Sequence, residues 1–343
     1  MSSKEQQSNK ALSSDQILLG GQAVIEGVMM RGPQSIATAV RRRDGVIVVH
    51  KEAFIPLTRR YRIWRFPILR GVAGFFEMTV LGIRMLNFSA DVAIHDGEPE
   101  GEEAKVGEKH GKGAGGWSLA LAVLVSLTVA VGLFFVVPIL LATTLFSVSQ
   151  DPLVFNFAAG SIRLLIFLSY LALIARIPDV RRLFMYHGAE HMTVFAFERE
   201  KTVTAEAASR QSRFHPRCGT SFLLIVVFAS IVLFSLVDAV ILYSTGSITL
   251  PLRLLWHLLL LPLVAGSSYE VIRFSARHAE TVLGRLIMKP GLLLQRLTTR
   301  VPTEDQLEVA VAALQAALEQ TQDLPVAQAE AGSGESLRVA ALG

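Results

Sequence analysis

Residues Trp117 to Gln150 read WSLALAVLVSLTVAVGLFFVVPILLATTLFSVSQ, without one charged side chain. A bilayer core needs roughly 20 apolar residues as helix, because no water is present there to satisfy backbone N–H and C=O groups. This stretch is long enough, and Leu164–Ala175, Gly219–Val237 and Leu254–Tyr269 are uncharged as well. Of 343 residues, 51% are hydrophobic and 18% charged, where an ordinary soluble domain carries about a quarter charged. The reading is a mainly α, polytopic membrane protein with about four transmembrane helices. They are expected near Trp117–Ser147, Asn156–Ala175, Gly219–Leu242 and Leu252–Ile272, the first of them kinked at Pro138.

Charge sets the expected topology. The turn after the first helix holds only Asp151, and Asp238 to Pro251 has no lysine or arginine. Arg176 to Arg217, by contrast, carries Arg176, Arg181, Arg182, Arg199, Lys201, Arg210, Arg213 and Arg217, and Arg273 to Arg300 is basic too. Basic loops stay in the cytoplasm, so both termini and the loop 176–218 are expected inside, in a bacterial plasma membrane. Met1–Gln16 is polar, and no cleavable signal peptide is expected from it. Arg163 and Arg253 fall near outer helix ends, where snorkelling to the headgroups is preferred over an ion path.

Outside the spans the chain divides by composition. Residues 1–19 and 321–343 are expected to be disordered, and 92–116 to be a flexible acidic, glycine-rich linker. Residues 20–91 combine a small cytoplasmic β element with an amphipathic helix. Two β-rich runs surround Asp44-Gly45, a dipeptide suited to a two-residue hairpin turn. Ile68–Asp91 is helical in pattern, with Arg70, Glu77 and Arg84 on one stripe, and reads as interfacial or re-entrant. Before it, TRRYRIWRFPILR (Thr58–Arg70) mixes arginines with Tyr61, Trp64 and Phe66, which suits an anionic bilayer surface. The same mixture can stack on single-stranded nucleic acid, but beside a membrane domain lipid is the preferred partner and no nucleic acid is expected. Residues 273–320 form a cytoplasmic helical segment, in which Thr303 and Gln306 make a capping box opening a helix to about Gln320.

Two clusters carry chemistry. Tyr186–Glu198 reads YHGAEHMTVFAFE, placing His187 and His191 four apart on one helical face, with Glu190 beside them and Glu198 returning to the His187 side. H-x-x-E-H is the inverted zinc-hydrolase pattern: two histidines hold the metal and the glutamate activates water. A third ligand must come from elsewhere, and Glu270 is one candidate. The second cluster, FHPRCGTSF (Phe214–Phe222), offers His215 and Cys218, the single cysteine. Imidazole and thiolate are ligands that suit zinc. Arg213 and Arg217 flank them and could hold an anion or favour the thiolate, or simply anchor a helix at the headgroups. Glu26 and Arg31, in the glycine-bounded stretch Gly20–Pro33, are further candidates to line the site.

The stretches GGQAVIEGVMMRGP, YHGAEH, HPRCGTSF, PLVAGSSYEVIR and PGLLLQRLTTRVPTEDQLEVA, running from Gly20 to Leu314 with the acidic linker left out, resemble the bacterial YqhQ-like family. Its members are predicted to be metal-dependent enzymes. The resemblance implies a metal site at His187, Glu190, His191, His215 and Cys218. This chain departs from the family at Met192, where a lysine usually follows HGAEH.

The first expectation is therefore a membrane-embedded, zinc-type metalloenzyme, a hydrolase acting from the cytoplasmic side on a membrane-associated substrate. His187 and His191 are its ligands, His215 or Cys218 the third, and Glu190 the general base. The alternative is a non-catalytic membrane scaffold or assembly factor that docks a protein partner and holds a structural metal. A transporter ranks third, since no clear internal repeat is visible.

Overall fold

The computed structural model describes residues 19–94, 115–146, 150–319 and 335–338. The segments expected to be disordered or linker lie largely outside these residues. The described chain is mainly helical, with a small antiparallel sheet at its amino-terminal end.

Four strands open the fold: β1 (Gly20–Val24), β2 (Gly27–Arg31), β3 (Ser35–Arg41) and β4 (Ile47–Ala53). A fifth, β5 (Glu335–Arg338), pairs antiparallel with β4, giving the order β1-β2-β3-β4-β5. Part of the tail expected to be disordered is thus strand, and it covers a β4 edge that would otherwise present unpaired backbone groups. The β3–β4 hairpin falls where Asp44-Gly45 placed it, but its turn is longer than two residues. Arg42 N–H donates to the Val46 carbonyl at 2.9 Å, closing a loop over Arg43-Asp44-Gly45. Gly45 takes φ +90 there, the left-handed position that a three-residue hairpin loop requires.

After β4 come α1 (Leu57–Arg60), a 3-10 turn over Arg62–Arg65 and α2 (Leu69–Ile94). Leu81 and Met85 of α2 pack on one sheet face with Val24, Met29, Ile36 and Val40. Val28, Met30, Ala37, Ala39 and Val49 pack on the other, against helices from much later in the chain. Both faces are buried, so β2 and β3 are apolar at consecutive positions instead of alternating.

The apolar part consists of α3 (Gly115–Val131), a π turn at Gly132–Val136, α4 (Val137–Leu145), α5 (Pro152–Ile174) and, after α6 (Pro178–Glu200) and α7 (Ala205–Ser209), α8 (Thr220–Thr245). Leu124–Leu145, α5 and α8 are each long and apolar enough to cross a membrane. The π turn accounts for Pro138. Proline has no N–H and crowds the carbonyl four residues back, here that of Phe134. The turn opens the ladder at that point, and the freed Phe134 carbonyl accepts from Arg163 Nε at 2.9 Å. Where α5 crosses α8, a Cβ at Gly160 would lie 2.4 Å from the Ile231 side chain, which seats against the bare Gly160 backbone.

The helix expected over Leu252–Ile272 is two, α9 (Leu250–Leu259) and α10 (Leu261–Arg277), bent by 49°. Pro262 stands in the first turn of α10 and cannot continue the hydrogen-bond ladder of α9. The pair makes a fourth apolar span if taken together. Two further helices, α11 (Val282–Thr298) and α12 (Glu304–Leu318), follow, α12 opening on the Thr303–Gln306 capping box.

Neither Arg163 nor Arg253 snorkels outward. Arg163 also donates to Ser230 Oγ at 2.8 Å. Arg253 is 2% exposed, its Nε donating to Asp238 Oδ2 at 2.9 Å. The same carboxylate accepts from His257 Nε2 at 2.9 Å and Asn156 Nδ2 at 2.8 Å. Asp238 is the residue that inverts the expectation. It lies inside α8, fully buried, and supplies the charge that draws Arg253 inward.

Candidate metal centre

In place of the loop expected over 176–218, the chain builds α6. Pro178 occupies its first turn, where a missing N–H costs nothing. From Gly188 to Ala196 every residue of α6 is buried, because β1, α12 and the turn before α8 enclose it. His187 and His191, one helical turn apart, bring their ring centroids to 4.5 Å.

Each of these histidines is held by its other nitrogen. His187 Nδ1 lies 2.8 Å from the Thr298 carbonyl at the end of α11, and His191 Nδ1 lies 2.6 Å from the Arg213 carbonyl. A carbonyl can only accept, so Nδ1 carries the proton in both rings and Nε2 presents a lone pair. Burial lowers the proton affinity of His191, with Cys218 and, less, the Arg213 carbonyl opposing in part. Cys218 completes the group: its Sγ stands 3.3 Å from His187 Nε2. The donor atoms of His187, His191 and Cys218 all lie within 4.8 Å of one another. Imidazoles fixed by an Nδ1–H to carbonyl bond are the usual support for nitrogen ligands, and two imidazoles with one sulfur form a borderline-soft donor set that could hold zinc.

Cys218 and His215 are set by the turn that leads into α8. Gln295 of α11, fully buried, clamps this turn with both ends of its amide. His215 N–H donates to Oε1 at 2.8 Å, and Nε2 donates to the His215 carbonyl at 2.8 Å. His215 differs from the other two histidines. Its Nδ1 accepts from Arg217 N–H at 3.3 Å, which leaves the proton on Nε2, 3.5 Å from Glu198 Oε2. Burial lowers its proton affinity too. It stands beside the group rather than in it, its ring 5.5 Å from that of His191.

Glu190 is buried at the edge of the three donors, one carboxylate oxygen 3.5 Å from His191 Nε2. Burial pushes its carboxyl above the usual range; His187, His215 and the Gly21 backbone N–H pull it back in part. Gly21 of β1 can come this near only because it lacks a side chain, since a Cβ would lie 2.8 Å from Glu190 Cγ. Glu190, His187, His191, Cys218 and Gly20-Gly21 border a cavity of about 90 Å³, room for a few waters.

The side chains of the remaining expected residues, Arg217 apart, lie away from the donors. Glu270 sits on α10 in a paired contact with Arg70 and not at the donors. Glu26 binds Arg182 and accepts from Tyr186; Arg31 lies over the Phe54 ring at 4.7 Å. Glu198 accepts from Arg217, which borders the cavity. Arg213 reaches the Thr299 carbonyl at 3.3 Å. Met192, which follows HGAEH, is buried on the sheet side of α6. Gln295 and the Thr298 carbonyl were not signalled by any motif spacing; a lone glutamine inside the apolar run GLLLQRL was the available sign.

The helix register depends on Gly188. A Cβ there would lie 2.0 Å from the Arg300 carbonyl, two residues beyond the Thr298 carbonyl that orients His187. Gly188→Ala is expected to cost about 1–3 kcal/mol by overpacking, read as a lowered thermal midpoint of the detergent-purified protein. An unchanged midpoint would show that α6 and the Arg300 segment can separate freely.

Residues 66–320 match the family model described as "Protein of unknown function (DUF1385)". Over 301 residues the chain is 33% identical to "Uncharacterized protein YqhQ" of Bacillus subtilis (strain 168), covering 85% of this chain and 89% of that protein. No solved structure matches it. The two matches bear out the resemblance to YqhQ-like proteins and carry no statement about metal or catalysis.

Proposed function

We propose, for a chain that belongs to the DUF1385 family, that it is a membrane-embedded, zinc-type hydrolase acting on a membrane-associated substrate from the cytoplasmic side. The observation that carries the reading is the pair of histidines whose Nδ1 atoms are tied to backbone carbonyls while both Nε2 atoms converge with Cys218 Sγ. A structural site closes with four protein ligands, whereas a catalytic one keeps three and an open position. Three donors beside a small polar cavity fit the second kind. The three or four apolar spans and the basic segments beside them support placement in a plasma membrane with both termini inside.

The chain's own residues then have separate tasks. His187, His191 and Cys218 would hold the metal, which when bound supplies Lewis acidity toward water and a substrate carbonyl or phosphoryl oxygen. Thr298, Arg213 and Gln295 keep the ligands oriented. Glu190, its carboxyl raised by burial, takes a proton from water in the cavity and returns it to the leaving group. Arg217, held by Glu198 at the cavity wall, offers a cation to an anionic substrate.

The test compares metal-loaded wild type with Glu190→Gln on pooled membrane lipids and membrane-associated peptides, with products read by mass spectrometry. Glu190→Gln should keep its metal and lose about 10²–10⁴ in turnover. Equal turnover, or loss of the metal itself, would remove Glu190 from the role of base.

One observation favours a second reading. His215 Nε2 is buried without a hydrogen-bond partner. Were it to give up its proton, with Nδ1 released from the Arg217 N–H, it would be a fourth ligand that closes the site and makes the protein a scaffold with a structural metal.

A further inference from the structure

The outer side of the amino-terminal unit carries a pattern that neither the sheet nor the candidate metal centre uses. Arg59, Arg60, Arg62 and Arg65 are all exposed between β4 and α2. Among the described residues none of the four enters an ion pair. Arg65 donates to the carbonyls of Thr58 and Arg59, and Arg60 lies over the Tyr61 ring. Ile63, set between them, and Phe66, directly after Arg65, are each 61% exposed. The following helix is two-faced. Leu81 and Met85 of α2 are buried on the sheet, while Phe76, Val80 and Ile83 form an exposed stripe on another side, with Phe76 at 64%.

Two contacts set where this surface lies. The Phe75 ring stacks at 5.9 Å on Phe222, in the first turn of α8. Gly71 approaches α10 so closely that a Cβ there would meet Tyr269 Cβ at 2.7 Å and Gly266 Cα at 3.0 Å. Both α8 and the bent α9–α10 pair are apolar enough to cross a membrane. The surface is therefore continuous with the spans at the end where α8 begins.

We propose that α1, the Arg62–Arg65 turn and α2 form an interfacial platform that binds anionic phospholipid. The arginines meet headgroup phosphates, and the Phe76–Val80–Ile83 stripe enters the boundary of the acyl chains. This rests on the reading of the chain as membrane-embedded. Phe222 follows Cys218 by about one helical turn, so the platform gathers anionic headgroups at the level of the candidate metal centre. A substrate bearing such a headgroup would be concentrated there.

The experiment uses the full chain with one tryptophan at a time, Trp64 kept in a Trp117→Phe, Trp256→Phe variant and Trp256 kept in a Trp64→Phe, Trp117→Phe variant. Each is reconstituted in mixed phosphatidylglycerol and phosphatidylcholine vesicles, with brominated acyl chains on one lipid or the other. Trp256, in α9, reports insertion of the spans. Trp64 is expected to be quenched with a preference of about fivefold for phosphatidylglycerol. Replacing Arg59, Arg60, Arg62 and Arg65 by Gln should bring that preference to about one while Trp256 quenching stays unchanged. Equal quenching of Trp64 by the two lipids in the wild type, or none while Trp256 is quenched, overturns the platform and leaves the membrane reading standing. Absence of quenching at both tryptophans overturns the membrane reading and the platform with it.

Discussion

The double variant His187→Ala, His191→Ala is expected to bind zinc more than about a hundredfold more weakly than wild type, measured by competition with a chromophoric chelator. The magnitude follows from the supporting interactions. Losing one outer hydrogen bond to a ligand histidine typically costs 10–100-fold in metal affinity, and this variant removes two ligand nitrogens together with both bonds, to Thr298 and Arg213. Cys218 alone cannot retain the ion. His278→Ala serves as the control: its ring is exposed on α10's end with Nδ1 at the Phe274 carbonyl, and its loss should leave zinc affinity unchanged. Equal affinity in the double variant and wild type would move the metal, if one binds, away from α6.

Asp238→Ala is expected to destabilise the apolar bundle by about 3–5 kcal/mol, because removing one partner of a buried ion pair strands the other charge. Arg253, His257 and Asn156 all donate to this carboxylate, and all three are buried. The Arg253 guanidinium also sits 3.7 Å from the Phe155 ring centroid. Asp238→Ala combined with Arg253→Met should recover part of the loss, since an apolar pair of similar bulk replaces the stranded charge. Unfolding in mixed detergent micelles measures both. An Asp238→Ala variant as stable as wild type would mean that Arg253 finds another partner or water at no cost.

The parts of this protein that could be read in the sequence are those encoded locally. Uncharged runs gave the long helices, the four-residue spacing in HGAEH put two histidines on one face, and Thr303 with Gln306 marked the start of α12. Hydrogen bonds between residues distant in sequence were not legible. Gln295 lies 80 residues from His215, and Asp238 reads as the start of a turn unless its buried donors are known. Glu270 illustrates the converse. Its place at the expected cytoplasmic end of an apolar segment made it a candidate ligand, yet Arg70, 200 residues earlier, holds it. β2 escaped because both its faces are covered, which removes the alternation that marks a half-buried strand, and β1, opening on Gly20-Gly21, has too few side chains to show one. His215 shows the same limit at the scale of one ring: its spacing from Cys218 suggests a ligand, but the Arg217 N–H on Nδ1 turns its proton toward Glu198.

The measurement that bears most directly on an open, catalytic metal centre is metal K-edge X-ray absorption on the wild-type protein purified without chelators. The account predicts one sulfur and two imidazole nitrogens, from Cys218, His187 and His191, with a light fourth neighbour that an added anion such as azide displaces. A protein that carries no metal, or a metal with four protein donors that no added anion disturbs, would contradict it.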